Sequence, residues 1–169
     1  MLKRIDHPMM LRATHPSAMS VREIDSFMAF VIAAGEINPA TMPALIAQAL
    51  SLLTLYHDDR LIGTAAIKRP FAAHHQNEFA KAKVGALAAT YQFELGWMVV
   101  DSAFRRQGHG RALVGHAIGQ LDGRAVYATT KSDTMRAMLP EYGFRPVGES
   151  YPSEREPAVS LSLHVREAS

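Results

Sequence analysis

The sequence predicts an α/β (α+β) domain built on a mixed, mostly antiparallel sheet with flanking helices, and three observations carry that expectation. Strand-like apolar runs are interleaved with stretches in which apolar residues recur at helical spacing. Residues 93–130 read as one strand, helix, strand unit, which places its two strands parallel. The remaining strands are joined by a polar turn or alternate in the manner of antiparallel strands with one buried face. At 169 residues the chain is of single-domain size and can bury a core without crosslinks, so 1–169 is read as one domain.

Residues 1–19 show no clear period and carry two prolines, which predicts a loosely ordered lead-in with one short strand around Met9–Ala13. Ser20-Val21-Arg22-Glu23 has the form of a capping box, followed by Ile24, Phe27, Met28 and Val31 at helical spacing; a helix is predicted over 21–34. Gly35 and Asn38-Pro39 break it, and Thr41 with Pro43 opens a second helix whose apolar side is Leu45, Ile46, Ala49 and Leu50. Leu52–His57 and Leu61–Lys68 form a hairpin across the polar turn Asp58-Asp59-Arg60. From Phe71 to Thr90 the pattern weakens, with a short helix over Phe79–Val84 and the rest of 70–91 read as a loop on the acceptor side of a site.

Phe93–Val100 is a strong strand candidate. A helix follows over 110–121 with Leu113, Val114, Ala117, Ile118 and Leu121 on one stripe, Asp122-Gly123 stops it, and Ala125–Thr130 is a second buried strand. A short helix over Asp133–Leu139 ends at Pro140. The tail closes with Phe144–Gly148 and a strand in which Val159, Leu161, Leu163 and Val165 alternate with the solvent-side Ser160, Ser162, His164 and Arg166.

Composition narrows the function. Apolar residues are 48% and charged residues 20% of the chain, ordinary values for a packed domain. The formal net charge is only +2, with no basic run longer than Arg105-Arg106, so nucleic acid is not the expected partner. With no cysteine, disulfides, thiolate zinc sites and cysteine nucleophiles are excluded. No signal-peptide pattern or membrane-length apolar run is present, and a cytoplasmic protein with no membrane partner is expected.

The chemistry concentrates in Arg105-Arg106-Gln107-Gly108-His109-Gly110-Arg111, between the 93–100 strand and the following helix. Two glycines clear the backbone of side chains, and consecutive amides at a helix start, with the helix dipole, suit an anion such as a pyrophosphate. The dipole supplies roughly 0.3–1 kcal/mol, so amide hydrogen bonds and the arginines must supply the rest. A nucleotide P-loop needs a lysine after its last glycine, and the dinucleotide fingerprint fails at its third glycine, here Leu113. The plainer reading is that Gly108 and Gly110 make a tight helix entry.

In this setting the sequence resembles the GNAT superfamily of N-acetyltransferases. Their Gln/Arg-x-x-Gly-x-Gly/Ala signature is met by Arg105, Gly108 and Gly110, and Glu94-Leu95-Gly96-Trp97-Met98-Val99-Val100-Asp101 looks like the strand before it. Tyr142-Gly143-Phe144, followed by Pro146-Val147-Gly148, is similar to the opening of the family's sixth strand. The matches cover about residues 90–148. The resemblance implies acetyl-CoA as cosubstrate and no metal. It implies that the amides of Arg106, Gln107, Gly108, His109, Gly110 and Arg111 hold the pyrophosphate. It further implies that the backbone of Met98, Val99 and Val100 pairs with the pantetheine arm, where the fourth and fifth strands splay apart.

Acyl transfer to an amine requires a neutral nucleophile, and an alkylammonium has a pKa of about 10, so a base is needed. Glu94 is the only carboxylate in the 93–100 strand, and in the family a glutamate near this place often acts through water. Alternation sets it on the side of Gly96 and Met98 unless a bulge intervenes. The alternative for Glu94 is a partly exposed strand-end residue paired with an arginine. Many members carry an acidic tyrosine where this chain has Leu139; Tyr142 and Tyr127 are near in sequence but unmatched to the motif. His74 and His75 read as solvated loop residues without metal-ligand spacing, and the imidazole of His109 as incidental. Acceptor choice falls to 35–43 and 70–91. The expected activity is N-acetylation of a primary amine on a small molecule, peptide or protein; the alternative is a non-catalytic acyl-CoA sensor or binding module. A toxin acetylating charged tRNA is disfavoured by the lack of a basic patch. The oligomeric state is open, a homodimer among the choices.

Overall fold

A computed structural model describes residues 8–35 and 37–169; the first part of the lead-in expected to be loose lies outside them. The chain forms, in order, β1 (Met9–Thr14), α1 (Val21–Ala33), α2 (Met42–Gln48), β2 (Ser51–His57), β3 (Arg60–Lys68), α3 (Ala72–Lys81), β4 (Phe93–Val100), α4 (His109–Gly119), β5 (Val126–Thr130), α5 (Asp133–Met138), β6 (Arg145–Pro152) and β7 (Ser160–Arg166). The seven strands make one sheet in the order β1-β2-β3-β4-β5-β7-β6. Every neighbouring pair is antiparallel except β4 and β5, which run parallel.

Local chemistry starts the helices as the sequence implies. At α1 the Glu23 amide donates to Ser20 Oγ at 3.2 Å and the Ser20 amide donates to Glu23 Oε2 at 2.7 Å, so both halves of the capping box are made. The helix then buries Phe27 and Val31. Together with Met42 and Ile46 of α2, they cover Leu52, Ala66 and Trp97 on one face of the sheet. Helix α4 covers the other face, where Leu113, Val114 and Ala117 pack with Leu53, Leu55, Ala65, Ile67, Leu95, Val126 and Ala128. Each fully buried Leu or Val there is worth about 1.5–3 kcal/mol of burial.

The region 70–91 is not the loop the sequence suggested. Helix α3 begins seven residues earlier than the predicted 79–84 segment and takes in His74 through Glu78, and a short 3-10 turn follows at Gly85–Leu87. Its N-terminal residue Phe71 makes no side-chain cap, so the usual starting signal is missing. Phe79 and Ala82 pack against Tyr91, Tyr127, Val147, Tyr151, Leu163 and Val165. Because Tyr127 alternates with Val126 and Ala128, α3 lies on the α1 and α2 face of the sheet, over β5, β7 and β6. Gly148, at φ +67°, lets β6 approach the end of α3: a Cβ there would fall 2.0 Å from the Ala82 carbonyl oxygen, and the Glu149 amide donates to that oxygen at 2.8 Å.

The tail strand departs from its expected two-sided pattern. His164 is buried with Leu163 and Val165, because the strand lies between β5 and β6 with α5 near its second face. His164 Nε2 is 2.8 Å from Ser162 Oγ, and Arg136 of α5 donates to the same oxygen at 3.0 Å. Burial, and then the Arg136 charge, hold the His164 imidazolium pKa below its ordinary value.

Candidate active site

Two features meet along β4. The first is the gap between β4 and β5. Pairing holds at Phe93 with Val126 and at Glu94 with Tyr127, and goes no further. From Leu95 onward the β5 side of β4 carries no strand partner, so the pair opens as a cleft whose closed end is Glu94 and Tyr127.

The second feature is a bulge. The β3 register passes from Ala66 opposite Gly96 to Thr64 opposite Val99, so Trp97 and Met98 together face Ala65. Trp97 sits at φ +49°, and Thr64 Oγ1 donates to its carbonyl at 2.9 Å. The bulge corrects the simple alternation: Met98 packs with the α4-side core, whereas Trp97 packs with α1 and α2. Glu94 therefore shares its face with Gly96 and Trp97, and not with Met98.

At the wide end of the cleft, the turn from 105 to 111 has the geometry that the glycines imply. Arg106 is at φ +60° and Gly108 at φ +83°, two reversals flanking Gln107 that lift the chain into α4. A side chain at Gly108 would be strained by that dihedral, and nothing lies within 4 Å of where its Cβ would sit. The first helical hydrogen bond runs from the Ala112 amide to the Gly108 carbonyl at 3.1 Å, so the amides before it have no acceptor one turn back. A Cβ on Gly110 would meet only Met138 Cε, at 3.7 Å. Arg111 turns away to form a two-pronged pair with Glu141 at 2.9 and 3.0 Å. That contact holds the Glu141 carboxyl below its ordinary pKa. Arg105 Nε donates to the Val100 carbonyl at 3.1 Å, tying the turn to the end of β4. His109 Nε2 is buried without a hydrogen-bond partner among the described residues, its ring 6.5 Å from that of Phe104.

At the closed end, Glu94 is 7% exposed. Its Oε2 accepts from Lys68 Nζ at 3.3 Å and from the Tyr127 hydroxyl at 3.2 Å. The sequence alternative of an exposed glutamate paired with an arginine is thus replaced by a buried one paired with a lysine. Tyr127 is fully buried; burial first, and then the Glu94 carboxylate, push its phenol well above the ordinary tyrosine value. Helix α3 adds a second buried carboxylate that sequence reasoning missed. Glu78 accepts from the Tyr151 hydroxyl, and Lys81 Nζ lies 3.9 Å from its other oxygen. Burial and Glu78 likewise raise the Tyr151 phenol.

The other candidate residues divide. His75 is not a solvated loop residue: its Nε2 is 2.8 Å from the Tyr91 carbonyl oxygen and its ring stacks on Tyr127 at 5.4 Å. His74 is exposed. Leu139 is fully buried in the α4-side core. Tyr142 is committed to the turn, its hydroxyl donating to the Arg111 carbonyl at 2.9 Å. The missed helix did leave a signal, since His75, Phe79 and Ala82 recur at spacings of four and three once histidine is admitted to the buried face.

A parallel strand pair that splays at a bulge, with open amides at a helix start on one side and a buried carboxylate at the crotch, defines an acyltransferase scaffold. The family model described as acetyltransferase (GNAT) family matches residues 20–144, and the chain belongs to that family. An acyl-CoA N-acyltransferase from Pseudomonas aeruginosa is similar in structure, at 18% identity and a TM-score of 0.66, over 94% of this chain and 99% of that one. Escherichia coli ElaA is similar at 15% identity and a TM-score of 0.67, over 95% and 100% of the two chains. The Escherichia coli ribosomal-protein-S18-alanine N-acetyltransferase is similar at 15% identity and 0.65, over 95% of each. These likenesses show the fold. No curated protein matches at the sequence level. Among the described residues no helix is long and apolar enough to cross a membrane.

Proposed function

We propose that the protein is an N-acetyltransferase that uses acetyl-CoA to acetylate a primary amine. The observation that carries the reading is the alignment, along one strand, of the open amides before Ala112, the unpaired edge of β4 and the buried carboxylate of Glu94. The residues suit acetyl-CoA: Gly108 and Gly110 leave the amides of Arg106 to Arg111 bare for a pyrophosphate, and the β5-side edge of Met98 to Val100 offers backbone groups to a pantetheine arm. When bound, acetyl-CoA supplies an activated acetyl thioester.

The chain's own groups do the rest. Arg105 anchors the turn to Val100, so the amides keep a fixed distance from β4. Glu94 Oε2 is saturated by Lys68 and Tyr127, which leaves Oε1 as the oxygen to receive a proton from an incoming ammonium, directly or through water. Gly96 leaves room beside it for the Lys68 arm: a Cβ there would lie 2.7 Å from Lys68 Cδ and 3.5 Å from Oε1. Trp97 supplies an aromatic wall on the same face. With Leu139 sealed in the core, no side chain takes the family's usual acid position, and the leaving thiolate needs none. A thiol ionises at a pKa of about 8.5, far more readily than an amine.

Leu139 also favours a second reading, an acyl-CoA sensor that binds without turnover. One experiment separates the two. Purified protein is mixed with acetyl-CoA and a panel of small amines, amino acids and peptide N-termini while free thiol is followed. Amine-dependent thiol release supports the enzyme. Tight acetyl-CoA binding by calorimetry with no release from any amine supports the sensor.

A further inference from the structure

We propose that Lys68 is itself an acetyl acceptor, modified within its own chain by the site it lies in. The inference rests on the acyl-transfer reading and adds a substrate to it, a lysine side chain presented from β3.

Lys68 stands directly opposite Glu94 in the β3–β4 register. Its arm then crosses β4 over Gly96, where a Cβ would come within 2.7 Å of Lys68 Cδ. Only glycine leaves that track clear. The arm ends with Nζ 3.3 Å from Glu94 Oε2 and 4.9 Å from the centre of the Trp97 ring, and the side chain is only 12% exposed. An acceptor amine needs the same surroundings: a carboxylate to take its proton, an aromatic face that tolerates a cation, and a place at the closed end of the cleft. Pairing between β4 and β5 stops at Glu94 and Tyr127, so a pantetheine arm entering from the wide end is directed toward this point.

The step balances without any further reactant. The Lys68 ammonium gives one proton to Glu94, and the freed Nζ lone pair attacks the thioester carbonyl carbon. A C–N bond forms and the C–S bond breaks. Sulfur leaves as thiolate and takes up the second Nζ proton, and Glu94 returns its proton to solvent. The products are an acetamide at Lys68, free thiol and one proton. The acetylated side chain no longer carries the charge that paired with Glu94.

The test is to incubate the full-length protein with acetyl-CoA and no added amine. Intact mass and peptide mapping are followed in time, together with the emission of Trp97, the one tryptophan of the chain. The expected result is a single acetyl group on Lys68 ahead of the exposed Lys83, with a rate constant independent of protein concentration and a parallel change in Trp97 emission. Glu94→Gln should slow it roughly 10²-fold, and Lys68→Arg should remove the mark. Modification that appears first at Lys83, proceeds equally in Glu94→Gln or scales with protein concentration would overturn the proposal. An unmodified Lys68 in a protein that acetylates an added amine would overturn it too and leave the acyltransferase reading intact. Absence of acetyl-CoA binding in calorimetry would instead remove that reading, and this inference with it.

Discussion

The two ends of the β4–β5 cleft are built in opposite ways. At the wide end every important group belongs to one run of sequence, 105 to 111, and works through its backbone: two positive-φ residues, Arg106 and Gly108, and amides left over at a helix start. At the closed end the groups come from β3, β4 and β5, act through side chains and are nearly sealed from water: Lys68, Glu94 and Tyr127 meet on one oxygen. A turn of open amides can be a local property of the chain. A buried carboxylate held by partners from two other strands is a property of the assembled sheet.

The sharpest way to break that contrast is at Glu94. If the closed end does the proton transfer, Glu94→Gln should lower turnover at neutral pH by roughly 10²- to 10⁴-fold. Affinity for coenzyme A, a matter of the other end, should stay unchanged in calorimetry. The deficit should narrow as pH rises and the free amine becomes neutral without help. Equal rates for both proteins at pH 7 would return Glu94 to a structural role beside Lys68.

The same contrast governs what could be read from the sequence. The turn was legible because its signal, glycines two apart between a strand and an amphipathic helix, lies within a few residues. The parallel β4–β5 pair followed from the strand, helix, strand order, and α1 from Ser20 and Glu23. Glu94 stands out in the sequence as the strand's only carboxylate, but its partners do not, since Lys68 and Tyr127 lie 26 and 33 residues away. Nor did alternation reveal the bulge at Trp97, which depends on the register with β3. The segment 70–91 failed for a local reason. Its helix starts without a capping side chain and presents His74 to Asn77 in its first turns, and its buried face is completed by residues as distant as Tyr151 and Leu163.

The wide end is tested at Gly110. Since a Cβ there meets only Met138 Cε at 3.7 Å, Gly110→Val should fold, yet its branched side chain would stand among the amides. Displacing a bound phosphate from two of them removes charge-assisted hydrogen bonds worth about 1.5 kcal/mol or more each, a loss of roughly 10²-fold in coenzyme affinity. Calorimetry, with thermal unfolding as the control for folding, checks it. Unchanged affinity in a folded variant would mean that the open amides serve only to start α4.

The smallest effects should come from the tyrosines, and they decide whether the two ends share an acid. Tyr127 is pointed at Glu94, and burial beside that carboxylate raises its phenol above the ordinary value of 10.0. A raised value favours the neutral form, so the hydroxyl keeps its proton throughout the range from about pH 6 to 10 in which an amine acetyltransferase is assayed. Its ionisation therefore cannot produce an alkaline limb there. Tyr142 is at the wide end, donating to the Arg111 carbonyl; removing one such hydrogen bond costs about 1 kcal/mol of stability. The expected rate profile thus rises with pH as the amine loses its proton and shows no fall up to pH 10. Tyr142→Phe and Tyr127→Phe should keep that shape. The measurement is turnover under saturating acetyl-CoA for the three proteins, with folding verified at both pH extremes. An alkaline fall in the native protein that disappears in Tyr127→Phe would show that a phenol at the closed end had taken the acid role vacated by Leu139. The same disappearance in Tyr142→Phe would place that role at the wide end and dissolve the division of labour between the two.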